Sequence, residues 1–484
     1  MKKYILEVVV FICGAVVMIY EITGSRIIAP CFGSTTFVWS SLIGMILASL
    51  SAGYWLGGKL ADKTASEKKL ALLIALASVF ICITGFFKEH ILSVFYHHVS
   101  HFQLSVTLSI LFLFAPAALF LGMVSPYAVK LRTTTLENTG KTVGNLYALS
   151  TLGSIAGTFL SGFWLIPLIG STKIQFVLAI ILIFSAFLLI VFKEKPKYEL
   201  LAFIGLVGIF SYGLLNANTK IIDVDSNYNR LFVYDTKHLK NNQSMRILQI
   251  NNHPNSAMYL ESNSLVYPYT QFYVDLIHNM KIQPQRILVL GGGGYSVPKY
   301  LMTAFPECKI DIVEIDKTIT ELARIHFDFK ENANSLVFST DGRSFLNKTE
   351  TTYDLIIWDV FNSTSSVPFE LTTQEAIQLV YSRLQPDGLV LVNMISSFEG
   401  KGNLFFKSMH KTYSSVFNTV VVYGVDSPTE EQLQQNIILV ASKEQEPSLH
   451  VENKIIKKKQ YQKTVMGGVL FTDNYAPANY LLTN

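Results

Sequence analysis

The sequence predicts a two-part molecule: a multi-span α-helical membrane domain, then a small antiparallel β-sheet leading into an α/β domain with a doubly wound parallel sheet. Three observations carry this. Seven apolar stretches fill the first 216 positions, each near the ~20 residues needed to cross a bilayer. Residues 217–285 alternate apolar and polar residues between turn signals. From 286 onward short apolar strands alternate with helix-like stretches, the mark of a parallel sheet wound on both faces. The expected divisions are therefore 1–216, 217–285 and 286–484.

The apolar stretches lie at about 4–22, 37–57, 69–87, 104–126, 143–168, 174–192 and 199–216. Half of the 484 residues are hydrophobic and 15% are charged, with a mean hydropathy of +0.35. Small residues in ASLSAGYWLGG and STLGSIAGTFLSG suit close helix packing. MKKYILEVVVFICGAVVMIYEI has too long an apolar run for a signal peptide and no small-x-small cleavage site before Glu21, so it reads as a retained first span.

Orientation follows from Lys and Arg in the short loops. One alternate set carries Lys2, Lys3, Lys59, Lys63, Lys68, Lys69, Lys130, Arg132, Lys141, Lys193, Lys195 and Lys197; the other carries only Arg26, Lys88 and Lys173. This bias of twelve to three places the N-terminus in the cytoplasm and, after seven spans, the C-terminal part outside it. The net charge of +4 is small and lies largely in these loops, so no nucleic-acid partner is inferred.

The soluble part contains one cysteine, Cys308, and so no internal disulfide. Cys13, Cys31 and Cys82 lie in or beside apolar spans, and no Cys/His spacing suggests a metal. His253, His278 and His326 are scattered. In the membrane part, Glu21 and Arg26 end the first span, where a charged pair lines a cavity or anchors at the interface.

Candidate chemistry gathers at strand ends, where doubly wound sheets bind ligands. RILVLGGGGYS brings Gly291, Gly292, Gly293 and Gly294 to the end of the first parallel strand, where backbone can approach a ligand closely. Glu314 closes KIDIVEID about twenty residues later, the spacing of an acid that holds a ribose diol. Asp341-Gly342 in STDGRSFL can accept from an adenine amino group or cap the next turn. Asp359 closes DLIIWDVF, placed to act as a general base or to position a cation. Trp358 beside it is either a ligand contact or core.

In this order VLGGGG, VEID, TDGRSFL and YDLIIWDVF resemble the S-adenosylmethionine-type Rossmann fold of the spermidine synthase (aminopropyltransferase) family, over about residues 220–400. EITGSRIIAPCFGSTTFVW, GYWLGGKLADK, GNLYALSTLGSIAGTFLSGFWL and FTDNYAPAN are similar to the membrane-fused members of that family. GGKLADK also resembles a loop of major facilitator transporters. The resemblance implies an adenosyl site formed by the glycine loop, Glu314, Asp341 and Gly342. It further implies S-adenosylmethionine or its decarboxylated form as co-substrate, no metal, and an amine or other small acceptor. A lipid bilayer, as in a bacterial inner (cell) membrane, is the implied surrounding; homo-oligomerisation stays open.

Three positions depart from the family pattern. The family loop GGGDGG becomes GGGGYS, so Gly294 replaces an acid. The D-[ST]-[ST]-D strand end becomes Asp359-Val360-Phe361-Asn362, keeping the first acid only. A Tyr-His-Glu element becomes Tyr269-Thr270-Gln271. A site for a polycationic amine should be rich in carboxylates, so this one suits the carboxylate of ordinary S-adenosylmethionine or another acceptor. Asp359 is then the expected catalytic residue, with Tyr269, Gln271 and Asn362 on the acceptor side. Two alternatives remain: a true polyamine aminopropyltransferase, and a transporter or sensor whose adenosyl-binding domain is not catalytic.

Overall fold

The computed structural model describes residues 4–33, 35–99, 101–133, 139–191, 198–216, 221–251, 253–361, 367–445, 449 and 453–483. The chain divides into two compact units, Met1–Arg230 and Leu231–Asn484.

The first unit is helical: α1 (Ile5–Phe32), α2 (Thr36–Lys63), α3 (Glu67–His98), α4 (Phe102–Leu113), α5 (Ala115–Arg132), α6 (Thr139–Leu160), α7 (Ile166–Ile169), α8 (Ser171–Val191) and α9 (Tyr198–Asn216), followed by β1 (Ile222–Asp225). A π-helical turn, Ser161–Leu165, joins α6 to α7. Six of these helical stretches are long and apolar enough to cross a membrane, and α4 with α5 would make a seventh if this pair, bent by 51°, is one span. These match the expected stretches in length and composition. Glycines set the closest helix contacts: a Cβ at Gly53 of α2 would lie 2.2 Å from the Leu119 carbonyl oxygen of α5, and one at Gly153 of α6 would lie 2.0 Å from that of Phe11 in α1. Only backbone lies there because no side chain fits.

Arg230, Lys88, Asp223 and Asp225 form a largely buried charge cluster in the same unit, with the exposed Glu89 3.3 Å from Lys88 at its edge. The Arg230 guanidinium donates to both carboxylate oxygens of Asp223 at 2.9 and 2.6 Å and to Thr172 at 2.8 Å. Asp225 accepts from the Ser171 N–H at 2.6 Å and so caps α8. Arg26 donates to the Asn227 carbonyl at 2.6 Å. Asp62, at the end of α2, pairs with Lys130 at 2.8 Å, both exposed.

The second unit begins with an antiparallel meander of β2 (Arg230–Lys237), β3 (Ser244–Ile250) and β4 (His253–Tyr259), followed by α10 (Pro268–His278). The α/β part runs β5 (Arg286–Leu290), α11 (Ser296–Ala304), β6 (Lys309–Val313), α12 (Lys317–His326), β7 (Ser335–Phe338), α13 (Gly342–Lys348), β8 (Tyr353–Phe361), α14 (Gln374–Arg383), β9 (Leu384–Ser396), α15 (Asn403–Ser414), β10 (Thr419–Gly424), β11 (Gln435–Ser442), α16 (Lys454–Lys459) and α17 (Ala478–Thr483). The strands form one sheet in the order β10-β11-β9-β8-β5-β6-β7. The five from β9 to β7 are parallel, and β11 and β10 extend the edge antiparallel. The expected Rossmann-type sheet, with its antiparallel edge, is present.

Strand residues alternate between two cores: Ile287 and Val289 of β5 pack on one face, Leu288 and Leu290 on the other. Two flanking polar residues of β8 prove structural. The Tyr353 hydroxyl donates to Asp311 at 2.8 Å, and Asp354 accepts the N–H groups of Gln285 and Arg286, each at 2.8 Å, pinning the start of β5.

Candidate functional site

Strand β5 pairs with β6 on one side and β8 on the other, so the sheet order reverses at its carboxyl end. That reversal is where an open α/β sheet leaves a crevice. Both the glycine loop and Asp359 stand there. Gly291 has φ +94°, and a Cβ on it would lie 2.4 Å from the Asp359 carbonyl oxygen. Only glycine satisfies both conditions.

The loop is held by side chains from outside it. The Glu314 carboxylate accepts from the Gly292 N–H at 2.9 Å and from the Asp316 N–H at 2.9 Å. Burial raises its pKa above the usual carboxylate value, opposed by these same N–H donors. Ser256 Oγ accepts the Gly294 N–H at 2.8 Å. Tyr295 follows in the left-handed region, φ 57°, where a glycine would be unstrained. Its ring is fully buried against Phe329, with centroids 4.2 Å apart, and its hydroxyl lies 2.7 Å from that of Thr320.

Around Asp359 the chain gathers phenols and amides. The Tyr269 hydroxyl donates to the Asp359 carboxylate. The pKa values of Tyr269 and Tyr273 are pushed well up, first by burial and then by the Asp359 charge. The hydroxyls of Tyr267 and Tyr273 are buried without a hydrogen-bond partner, and burial lifts Tyr267 to about 12. Asn393 of β9 donates to Asp359 at 3.0 Å, and its own oxygen accepts from Asn436 of β11 at 3.0 Å. An orphaned buried hydroxyl beside a carboxylate, as at Tyr273 and Asp359, suits a polar ligand.

The other expected residues fall as follows. Asp341 accepts from the Ser344 N–H at 2.8 Å and caps α13, of which Gly342 is the first residue. Gln271 is exposed and donates to the Leu265 carbonyl at 2.8 Å. Trp358 is fully buried in the core on one face of the sheet. Asn362 lies outside the described residues. No group of three or more His, Cys, Asp or Glu is placed to hold a metal among the described residues.

Residues 267–453 match the family profile of the spermine/spermidine synthase domain. The C-terminal unit carries a spermidine synthase-like domain. A polyamine aminopropyltransferase of Vibrio vulnificus is 29% identical over 239 residues, 46% of this chain and 77% of that protein. A polyamine aminopropyltransferase of Aquifex aeolicus is 20% identical over 432 residues, 87% of this chain and 83% of that protein. A probable spermidine synthase from Corynebacterium glutamicum superposes with TM-score 0.40 at 22% identity, covering 47% of this chain and 81% of that one.

Within the spermidine synthase-like domain, the space beside Gly294 is not vacant. A Cβ at Gly294 would stand 2.8 Å from Ser256 Cβ and 3.2 Å from the Phe327 ring. The meander strand β4 and the end of α12 occupy the space an aspartate side chain would need. Sequence reading missed Ser256, Tyr267, Tyr273, Asn393 and Asn436. An asparagine inside the apolar run LVLVNMI is a usable signal for one of them, since a buried amide must find partners.

Proposed function

We propose that this protein is a membrane-embedded transferase of the spermidine synthase type that uses S-adenosylmethionine or its decarboxylated form, with an altered acceptor site. The observation that carries this reading is the meeting of Gly291 and Asp359 at the sheet's reversal point, with Tyr269 and Tyr273 buried against the carboxylate. Gly291–Gly294, Glu314, Asp341 and Gly342 form the adenosyl side. Asp359 is the catalytic residue, and Tyr269 faces the acceptor. In the proposed reaction the acceptor's lone pair attacks a carbon on the sulfonium, and the C–S electrons pass to sulfur to leave a neutral thioether. Asp359 orients the acceptor and takes its proton, and proximity supplies much of the rate.

The helical unit is proposed to sit in a bacterial inner membrane with the N-terminus in the cytoplasm. The decisive experiment is calorimetric titration of the detergent-solubilised full chain with S-adenosylmethionine, its decarboxylated form and methylthioadenosine. Binding that is lost in Glu314→Ala and Asp341→Ala supports the adenosyl site. Tighter binding of the decarboxylated form, followed by aminopropyl transfer to a diamine, would favour a true polyamine aminopropyltransferase, the activity named for the Vibrio and Aquifex relatives. Binding of none of the three refutes the reading.

A further inference from the structure

We infer that the C-terminal stretch FTDNYAPAN, residues 471–479, braces the wall beside the adenine end of the adenosyl site, with Asp473 and Asn479 as positioning residues. The inference rests on the adenosyl reading of Asp341 and Gly342 given above. A Cβ at Gly342 would meet Leu371 at 3.6 Å and Leu290 at 3.7 Å. Leu371 therefore stands across from both the strand that ends in the glycine loop and the helix that Asp341 caps. It belongs to a single 3-10 turn, Phe369–Leu371, and is buried in the same core as Leu290, so its own packing fixes the side chain while the turn's backbone has little regular structure around it.

The C-terminal stretch adds polar support to that backbone. Arg343 donates to the Glu370 carbonyl in that turn at 2.8 Å. Asp473 grips Arg343 with both carboxylate oxygens, at 3.0 and 2.7 Å, and accepts from Thr373 Oγ1 at 2.7 Å. The Asp473 N–H in turn donates to Glu375 at 3.0 Å. The hydrogen bond from Arg343 also holds the Asp473 carboxyl below the usual carboxylate range. On the entry side of the turn, Asn479 accepts the Val367 N–H at 2.7 Å. The stretch has anchors independent of these contacts: Phe471 and Ala478 are buried, and the Phe471 carbonyl accepts from the Gln374 N–H at 2.8 Å. Removing the two polar contacts should loosen the wall while the stretch stays docked.

The test compares the wild-type full chain with Asp473→Asn and Asn479→Ala in detergent, measuring Tm and the Kd of methylthioadenosine and methylthioinosine. A wall that orients adenine predicts that each variant weakens methylthioadenosine about tenfold and methylthioinosine less, so the preference for adenine shrinks. Asp473→Glu, which retains the charge, should recover part of the preference. If the wild type binds methylthioadenosine and both variants keep its affinity and preference, the inference is wrong. Equal loss of both ligands with a large fall in Tm would assign these residues a merely structural role, which also overturns it. If the wild type binds neither ligand, the adenosyl reading itself has failed.

Discussion

Replacing Gly294 by aspartate would supply the acid that the resemblance to the spermidine synthase loop implies, and the structure predicts that this change alone damages the protein. A Cβ at 294 would sit 2.8 Å from Ser256 Cβ and 3.2 and 3.3 Å from two atoms of the Phe327 ring. Ser256 cannot simply turn aside, because the first clash is with its Cβ and its Oγ accepts the Gly294 N–H at 2.8 Å. Overpacking of this kind costs about 1–3 kcal/mol, and crowding a carboxylate into a largely enclosed place adds to it. A total of about 3 kcal/mol lowers the Tm of a unit this size by on the order of 10 °C. Scanning fluorimetry of the detergent-solubilised chain measures the shift, and calorimetry measures decarboxylated S-adenosylmethionine binding, which should not improve. Ser256→Gly removes the offending Cβ, so the double variant should cost less than the two single changes added together. If Gly294→Asp alone keeps the wild-type Tm and binds the decarboxylated ligand more tightly, the position is a vacated polyamine site and the steric reasoning is refuted.

Gly291→Ala, with φ +94° and a Cβ 2.4 Å from the Asp359 carbonyl, should lower stability by about 3 kcal/mol or block folding of the second unit; an unchanged Tm and circular dichroism spectrum would contradict this. Glu314→Ala leaves two buried N–H donors without their acceptor and should cost about 2–4 kcal/mol as well as adenosyl binding, read by Tm and calorimetry. Because burial raises the native pKa of Glu314 above its ordinary value, its contribution to stability is full below that ordinary value and is lost as pH rises through the native one. The Tm difference between wild type and Glu314→Gln should therefore shrink as pH rises above about 4.5, and a difference that grows would reverse the sign of the burial effect. Arg230→Gln leaves the nearly buried Asp223 unpaired and should cost about 3–5 kcal/mol. Arg246→Gln breaks the partly exposed pair with Asp235 and should cost under about 1 kcal/mol; comparable Tm losses would refute the distinction.

Much of the fold was legible because its signals are local. The apolar stretches, the period-two strands and the glycine loop each announce themselves within about twenty residues, and the sheet places Gly291 and Asp359 together as strand-end logic requires. The site's surroundings were less legible because they are assembled from distant segments. Ser256 reaches the loop from the meander, and Asn393 and Asn436 reach Asp359 from β9 and β11. Gly294 shows the limit most clearly. The sequence displays a missing acid; only the fold displays that Ser256 and Phe327 stand where it would go. Tyr295 is a similar case, since a left-handed tyrosine is worth its strain only because Phe329 and Thr320 bury and bond it.

The bend between α4 and α5 turns the orientation of the second unit into a sharp prediction. Phe102–Leu113 and Ala115–Arg132 meet at 51°. At 1.5 Å per residue they are about 18 and 27 Å long, so the pair either crosses as one broken span or dips in and returns. As a span it makes seven crossings, and the loop cations divide twelve against three in favour of a cytoplasmic N-terminus. If the pair returned, Lys130, Arg132, Lys141, Lys193, Lys195 and Lys197 would change sides along with Lys173. The division would then be seven against eight, which is no bias at all. The charge pattern thus favours the broken span and an external C-terminus. Adenosyl ligands are made in the cytoplasm, so this orientation requires that the ligand cross the membrane or be supplied from outside. A C-terminal alkaline phosphatase fusion, active only outside, should be active, and a C-terminal green fluorescent protein fusion exported by the same route should be dark. The opposite pair of results would mean that α4 and α5 return to the same side, and it would place the site directly in the cytoplasmic pool of its proposed ligand.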